Sequence, residues 1–321
     1  MVSLPTGPAE VFREARSIPM SKFTANANVS RGPSSALVRW AAIAALGAGV
    51  AIFATGAPAQ ERGTAKAKIP DLASARFAWL ALGVDWLDPP PGLGRGPIRP
   101  DPAHPYHGNR DGPGQVTPHI GNTKDPVLKP WAAKQMQDSN DEVLAGKRGL
   151  PFSAQSTCHP GGVPEQLLTP AEPFYFIQTP SEVWMIWQTD HMVRRIYLTG
   201  QHSETVPPSW FGESIGHYEG GDTLLIDTIG LQAHDSYLDW FRTPHTEKLH
   251  VSERLRLSAD GSALEALVRV EDPDTFNEPL NMVRRWRKVP NPLYEMVCGE
   301  NNRDYFGLNL FPIPHADTPD F

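Results

Sequence analysis

The sequence predicts a mainly β protein, an antiparallel up-and-down β-barrel with one helix and a long Pro-rich N-terminal arm. Three observations predict it. From Phe174 onward, apolar and polar residues alternate in short runs with no helical period between them. Turn residues such as Thr189-Asp190, Ala259-Asp260-Gly261-Ser262 and Pro290-Asn291-Pro292 separate those runs. Upstream, a single stretch has helical periodicity, and the segment before it is dense in Pro and Gly.

The runs are Phe174–Thr179, Glu182–Gln188, His191–Leu198, Gly216–Thr228, Thr246–Leu257, Leu264–Glu271, Leu280–Val289 and Tyr294–Glu300. Strands in series without intervening helices close most simply into a barrel, with room for side chains or one small ligand. Gly220-Gly221 inside the fourth run predicts a bulge or sharp bend. The helix is predicted over Trp131 to Ala145, with Pro130 in its first turn and Gly146 at its exit. Ala132, Met136 and Val143 fall on one side of it, so it should lie across a barrel end.

Residues 1–59 read as a signal peptide: Arg31 and Arg39, an apolar run from Trp40 to Thr55, then Ala57-Pro58-Ala59 as a small-residue cleavage pattern. The run is shorter than the roughly 20 residues a span needs, so no transmembrane segment is expected after cleavage. A retained N-terminal anchor is the alternative. Cleavage removes five basic and two acidic residues from a chain of 29 and 36, leaving a net charge of −10. Such an acidic chain repels phosphate backbones, which argues against a nucleic-acid partner. Localisation is therefore expected to be periplasmic or secreted.

Residues 60–130 form the predicted arm, and residues 131–321 the helix and barrel domain. Within the arm, Ala73 to Val84 reads as a strand or a short helix, and Asp88 to Pro130 as an extended wrap. Cys158 and Cys298 are the only cysteines, and in an oxidising compartment an even pair reads as one disulfide. A reactive Cys158-His159 pair is the sharper alternative. His104 and His107 have a metal-compatible gap, but an exposed loop pair is the commoner case, and no metal site is expected.

Alternation assigns faces to the strands. Glu253 falls on the apolar face of its strand with Val251 and Leu255, and Arg194 likewise with Met192 and Ile196. Arg284 shares a face with Met282 and Trp286. A carboxylate and arginines in an apolar interior must pair or neutralise, so a charged cluster is expected there, structural or catalytic. His217 and His245 sit at strand ends, where an imidazole is suited to proton transfer. Asp227 lies on a strand whose inner face the pattern leaves open. The candidate catalytic set is therefore Glu253, Arg194, His217, His245 and Asp227. Trp184, Tyr197, Arg284 and Trp286 are the candidate substrate-binding residues. No nucleotide, phosphate-loop, serine-hydrolase or HExxH fingerprint is present, so no cofactor is expected.

The block WFGESIGHYEGGDTLLIDTIGL, followed by RTPHTEKLHVSERLRL and VCGENNRDYF, resembles a large family of exported bacterial proteins. KPWAAKQM, NDEVLAGK and PFYFIQTP belong to the same likeness, which runs from about Lys129 to Phe321. The resemblance implies export and a distantly lipocalin-like barrel. Relatives read EGDTL where this chain has Glu219-Gly220-Gly221-Asp222, one glycine more. The expected function is a cofactor-independent periplasmic enzyme doing acid–base chemistry, of lyase, isomerase or hydrolase type. Its expected partner is a small apolar or aromatic molecule. The alternative is a non-catalytic ligand-binding or carrier barrel.

Overall fold

Alternating strands whose one face is apolar can bury that face by curling on themselves, and this chain does so completely. The computed structural model describes residues 69–73, 76–83, 86–105, 119–145, 154–168, 173–290 and 294–301. Contacts divide the chain into Met1–Ala67, which lies outside the described residues together with the expected signal peptide, and Lys68–Phe321.

Nine strands close a barrel of lipocalin-like kind in chain order. They are β1 (Phe77–Ala81), β2 (Phe174–Gln178), β3 (Glu182–Trp187), β4 (Val193–Tyr197), β5 (Glu213–Glu219), β6 (Thr223–Ile229), β7 (His250–Leu257), β8 (Ala263–Glu271) and β9 (Leu280–Pro290). β1 belongs to the stretch expected as an arm. It closes the ring by pairing antiparallel with β9 from Phe77↔Pro290 to Ala81↔Trp286, and touches β2 at Trp79↔Phe174. Every neighbouring pair is antiparallel except β4 and β5, which run parallel over only Ile196↔Ser214 and Tyr197↔Ile215. That short pairing is the seam of the barrel.

Two strand assignments differ from the sequence pattern. Gly216–Thr228 is not one bent strand but the β5–β6 hairpin, because Gly220 and Gly221 both take positive φ, 62° and 80°, and reverse the chain. Tyr294–Glu300 is not a strand. It ends in a 3-10 turn, Cys298–Asn301, held against the β3–β4 hairpin by Cys298 N–H to Asp190 Oδ1 (2.7 Å) and Asp190 N–H to Met296 O (2.8 Å). β1 occupies the place beside β9 that such a strand would have needed.

The helix α1 (Pro130–Leu144) buries Ala132, Met136 and Asn140, spaced four apart, while Val143 is only half-buried. Asn140 replaces Val143 on the inner side because its amide bonds the Gly121 carbonyl at 2.9 Å. Inside the barrel, Phe174 stacks on Trp187 (5.5 Å) and meets Trp286 edge-on (5.6 Å). Cys158 and Cys298 form the expected disulfide, with Cα atoms 5.6 Å apart. Among the described residues no helix is long and apolar enough to cross a membrane.

Candidate functional site

Inward alternation buries the predicted ion pair. Arg194 and Glu253 are 0 % and 2 % exposed. The guanidinium grips the carboxylate through both ends, with Nη1 to Oε1 at 3.0 Å and Nη2 to Oε2. It also donates from Nε to Ser214 Oγ (3.1 Å) and from Nη2 to Thr228 Oγ1 (2.8 Å). Those two hydroxyls bond each other at 3.0 Å. One side chain from β4 is thereby tied to β5, β6 and β7 from the inside, across the short parallel seam. Arg284, also fully buried, stands apart and donates to the backbone carbonyls of Leu167 (3.2 Å) and Gly83 (2.8 Å).

The other expected site residues do not converge on that pair. His245 is 4 % exposed at a barrel end, with Nε2 3.1 Å from Ser236 Oγ and Nδ1 3.0 Å from the Thr246 carbonyl. Burial holds its imidazole below the usual range. In the same end, burial pushes the Asp239 carboxyl up to about 6, although Thr243 and Phe241 bond it. Burial, helped by the Arg242 charge, pushes His119 down to about 4. Trp184 and Tyr197 lie on the outer face and flank the Arg195 guanidinium at 5.3 and 5.2 Å. Trp286 is a core residue inside the barrel.

A different constellation forms on the outer face of β5 to β8. Leu224, Ile226 and Thr228 point inward on β6, so Asp227 points out, and β7 presents His250 and Ser252 beside it. Asp227 Oδ1 accepts from His250 Nε2 (2.6 Å) and Ser252 Oγ (3.2 Å), and Oδ2 lies 2.9 Å from His202 Nε2. The opposite nitrogen of His202 is 3.0 Å from Glu213 Oε1, and Glu213 accepts from Ser203 N–H and Oγ, both at 2.7 Å. Carboxylates thus face both ring nitrogens of His202. Burial raises the Asp227 carboxyl, but the bonds from His250 and His202 outweigh it and hold the group below the usual carboxylate range. The Ser203 hydroxyl and N–H, ahead of His202, do the same for Glu213.

Three expected catalytic residues, Asp227, His217 and Glu253, line one groove of about 650 Å³ with Leu225, Leu267 and the Gly92–Gly94 turn, although the Glu253 carboxylate is spent on Arg194. His250 lines a second groove with Glu271, Lys248 and Phe276. His250 Nδ1 is 3.8 Å from Glu271 Oε2, too far for a hydrogen bond. Among the described residues no cluster of His, Cys, Asp or Glu has the arrangement of a metal site.

His202 and Glu213 escaped the sequence reading. His202 sits in the long β4–β5 connection, where strand periodicity says nothing. Glu213 becomes a neighbour of Asp227 only once Gly220-Gly221 reverses the chain, which brings Glu213 opposite Ile229. Comparison of the chain with protein-family models and with curated proteins finds no match.

Proposed function

We propose that this protein is an exported enzyme that moves protons on a small, largely apolar molecule held on the outer face of β6 to β9. The acid–base group is His250, which lines the second groove and meets the larger one at Asp227. The observation that carries the reading is the unbroken chain Glu213–His202–Asp227–His250, with contacts of 3.0, 2.9 and 2.6 Å. With Asp227 accepting from Nε2–H, His250 keeps a lone pair on Nδ1, directed away from the chain. An oriented imidazole backed by a carboxylate is the arrangement of a general base, typically worth about 10²–10⁴-fold in rate. His202 and Glu213 hold Asp227 ionised and fixed. Elimination, isomerisation and hydrolysis are the reaction types such a group serves. The Cys158–Cys298 disulfide fits an oxidising, extracytoplasmic compartment.

The buried Arg194–Glu253 pair is proposed to be structural, because each charged group is spent on the other and on two neighbouring hydroxyls. A second reading keeps the groove and drops the chemistry: a carrier that holds the ligand unchanged. The exposure of the Asp227 side chain, 45 %, favours it, since little excludes water there. Incubation of the protein with a periplasmic metabolite extract, followed by mass spectrometry, separates the two. An enzyme depletes one compound and yields another, and His250→Gln or Asp227→Asn stops the conversion. A carrier retains a compound without changing it. Conversion that survives both substitutions would refute this site.

A further inference from the structure

Register across four strands lays out the larger groove. Asp227, Ser252, Arg269 and Asn281 face one another along one row of β6, β7, β8 and β9. The next row carries His217, Leu225, Arg254 and Leu267. Arg254 and Arg269 are therefore diagonal neighbours, with Cα atoms roughly 7–8 Å apart, near enough for both side chains to reach one ligand group. Leu225 and Leu267 flank Arg254 and give the groove an apolar floor.

The wall opposite is a turn, Gly92-Leu93-Gly94, with both glycines at a φ of 89°. It is pinned close: a Cβ on Gly94 would lie 2.9 Å from Asn281 Nδ2, and Asn281 N–H donates to the Arg95 carbonyl at 2.7 Å. Leu93 is thereby held over the groove while staying 44 % exposed. An isobutyl side chain fixed at the lip of an apolar floor has no partner of its own among the core residues.

Two arginines, Arg254 and Arg269, supply the groove's cationic donors. Arg254 engages Glu219 at 2.6 Å and Arg269 engages Glu271 at 2.9 Å, each through Nη2 alone. Most of the five donors of each guanidinium are thus unused among the described residues. The lining has two carboxylates: Glu253 is buried and spent on Arg194, and the oxygens of Asp227 already accept from His250, His202 and Ser252. Exposed ion pairs such as these two are weak, so a ligand anion can join or replace the glutamates at little cost.

From the two arginines above a leucine floor we infer that the groove takes a small amphipathic carboxylate. Its carboxylate lies on Arg254 and Arg269, and its apolar body lies on Leu225 and Leu267 beneath Leu93. A volume of about 650 Å³ is within the range of small-molecule sites. This rests on the groove being the ligand's seat, as proposed above, and adds the chemical class of the ligand.

The test is calorimetric titration of the full chain with 3-phenylpropionate and with 3-phenylpropanol, which share a body and differ in charge. The acid should bind at least tenfold more tightly than the alcohol, and more weakly as salt is raised. Arg254→Met and Arg269→Met should each weaken the acid roughly tenfold, the cost of one charge-assisted bond, and leave the alcohol unchanged. Leu93→Ser should weaken both. Both arginines are about half exposed, so their replacement leaves the fold intact. Equal affinity for acid and alcohol, or no response to either arginine substitution, overturns the inference. Failure to bind either probe does so as well. Because the readout is equilibrium binding, such a failure is separate from failure of the acid–base reading, which turnover in the His250→Gln comparison decides.

Discussion

Replacing Glu253 with Gln separates a structural charge from a catalytic one. The substitution keeps size and shape but removes the anion that accepts from both ends of Arg194. One amide oxygen can still accept from Nη1, while the amide NH₂ meets Nη2 donor against donor. The guanidinium keeps Ser214 and Thr228 at 3.1 and 2.8 Å, but its charge stays at 0 % exposure without a counter-ion. Breaking a buried pair from one side costs about 3–5 kcal/mol. In a domain of this size that lowers the melting temperature by roughly 6–20 °C. Arg194→Met should cost a similar amount, since it strands the carboxylate. The double variant should recover much of the loss, because the Ser214 and Thr228 hydroxyls still satisfy each other at 3.0 Å. Urea unfolding of all four proteins gives the coupling directly. Additive single effects would show that the two side chains do not act as a pair. A Glu253→Gln protein that folds as the parent but loses turnover would instead make Glu253 the catalytic group.

Three further outcomes are expected. Reduction of Cys158–Cys298, which closes a separation of 140 residues, should lower stability by up to about 4–5 kcal/mol, and alkylation before reduction should find no thiol. Asp239 and His119 should pull stability in opposite directions between pH 4 and 6. The Asp239 carboxyl, raised to about 6 from 3.8, adds stability that is full below 3.8 and lost as pH rises through 6. His119, lowered to about 4 from 6.5, adds stability that is full above 6.5 and lost as pH falls through 4. Asp239→Asn removes the first contribution, so urea midpoints of the variant should fall more steeply on acidification than those of the parent; parallel profiles would contradict this. Trp286→Ala should cost about 3–5 kcal/mol through the cavity beside Phe174, yet leave ligand binding in the outer groove unchanged.

The barrel was legible because alternation is a strong signal wherever one face is dry. Glu253 and Arg194 could be aimed inward from their apolar neighbours alone, and they meet there. Legibility failed where the chain turns. Reading Gly216–Thr228 as one strand hid the β5–β6 hairpin, and with it the register that sets Glu213 opposite Ile229, near Asp227. The alternation that aims Arg194 and Ile196 inward already sends Tyr197 outward beside Arg195, whereas Trp184 sits in a run with apolar residues on both faces, which pattern alone leaves open. Phe77–Ala81 left strand and helix open because its Ala-rich run lacks clean alternation, and pairing with β9 decides it. His202 was beyond reach for a different reason. A loop histidine acquires meaning only from the carboxylates that the fold brings to it.

The measurement closest to the central claim is the tautomer of His250, read by nitrogen NMR of ¹⁵N-histidine-labelled protein. The account predicts a proton on Nε2, bonded to Asp227, and an unprotonated Nδ1 in the neutral ring, with that preference lost in Asp227→Asn. A neutral His250 carrying its proton on Nδ1, or one whose tautomer ignores Asp227→Asn, would contradict the account.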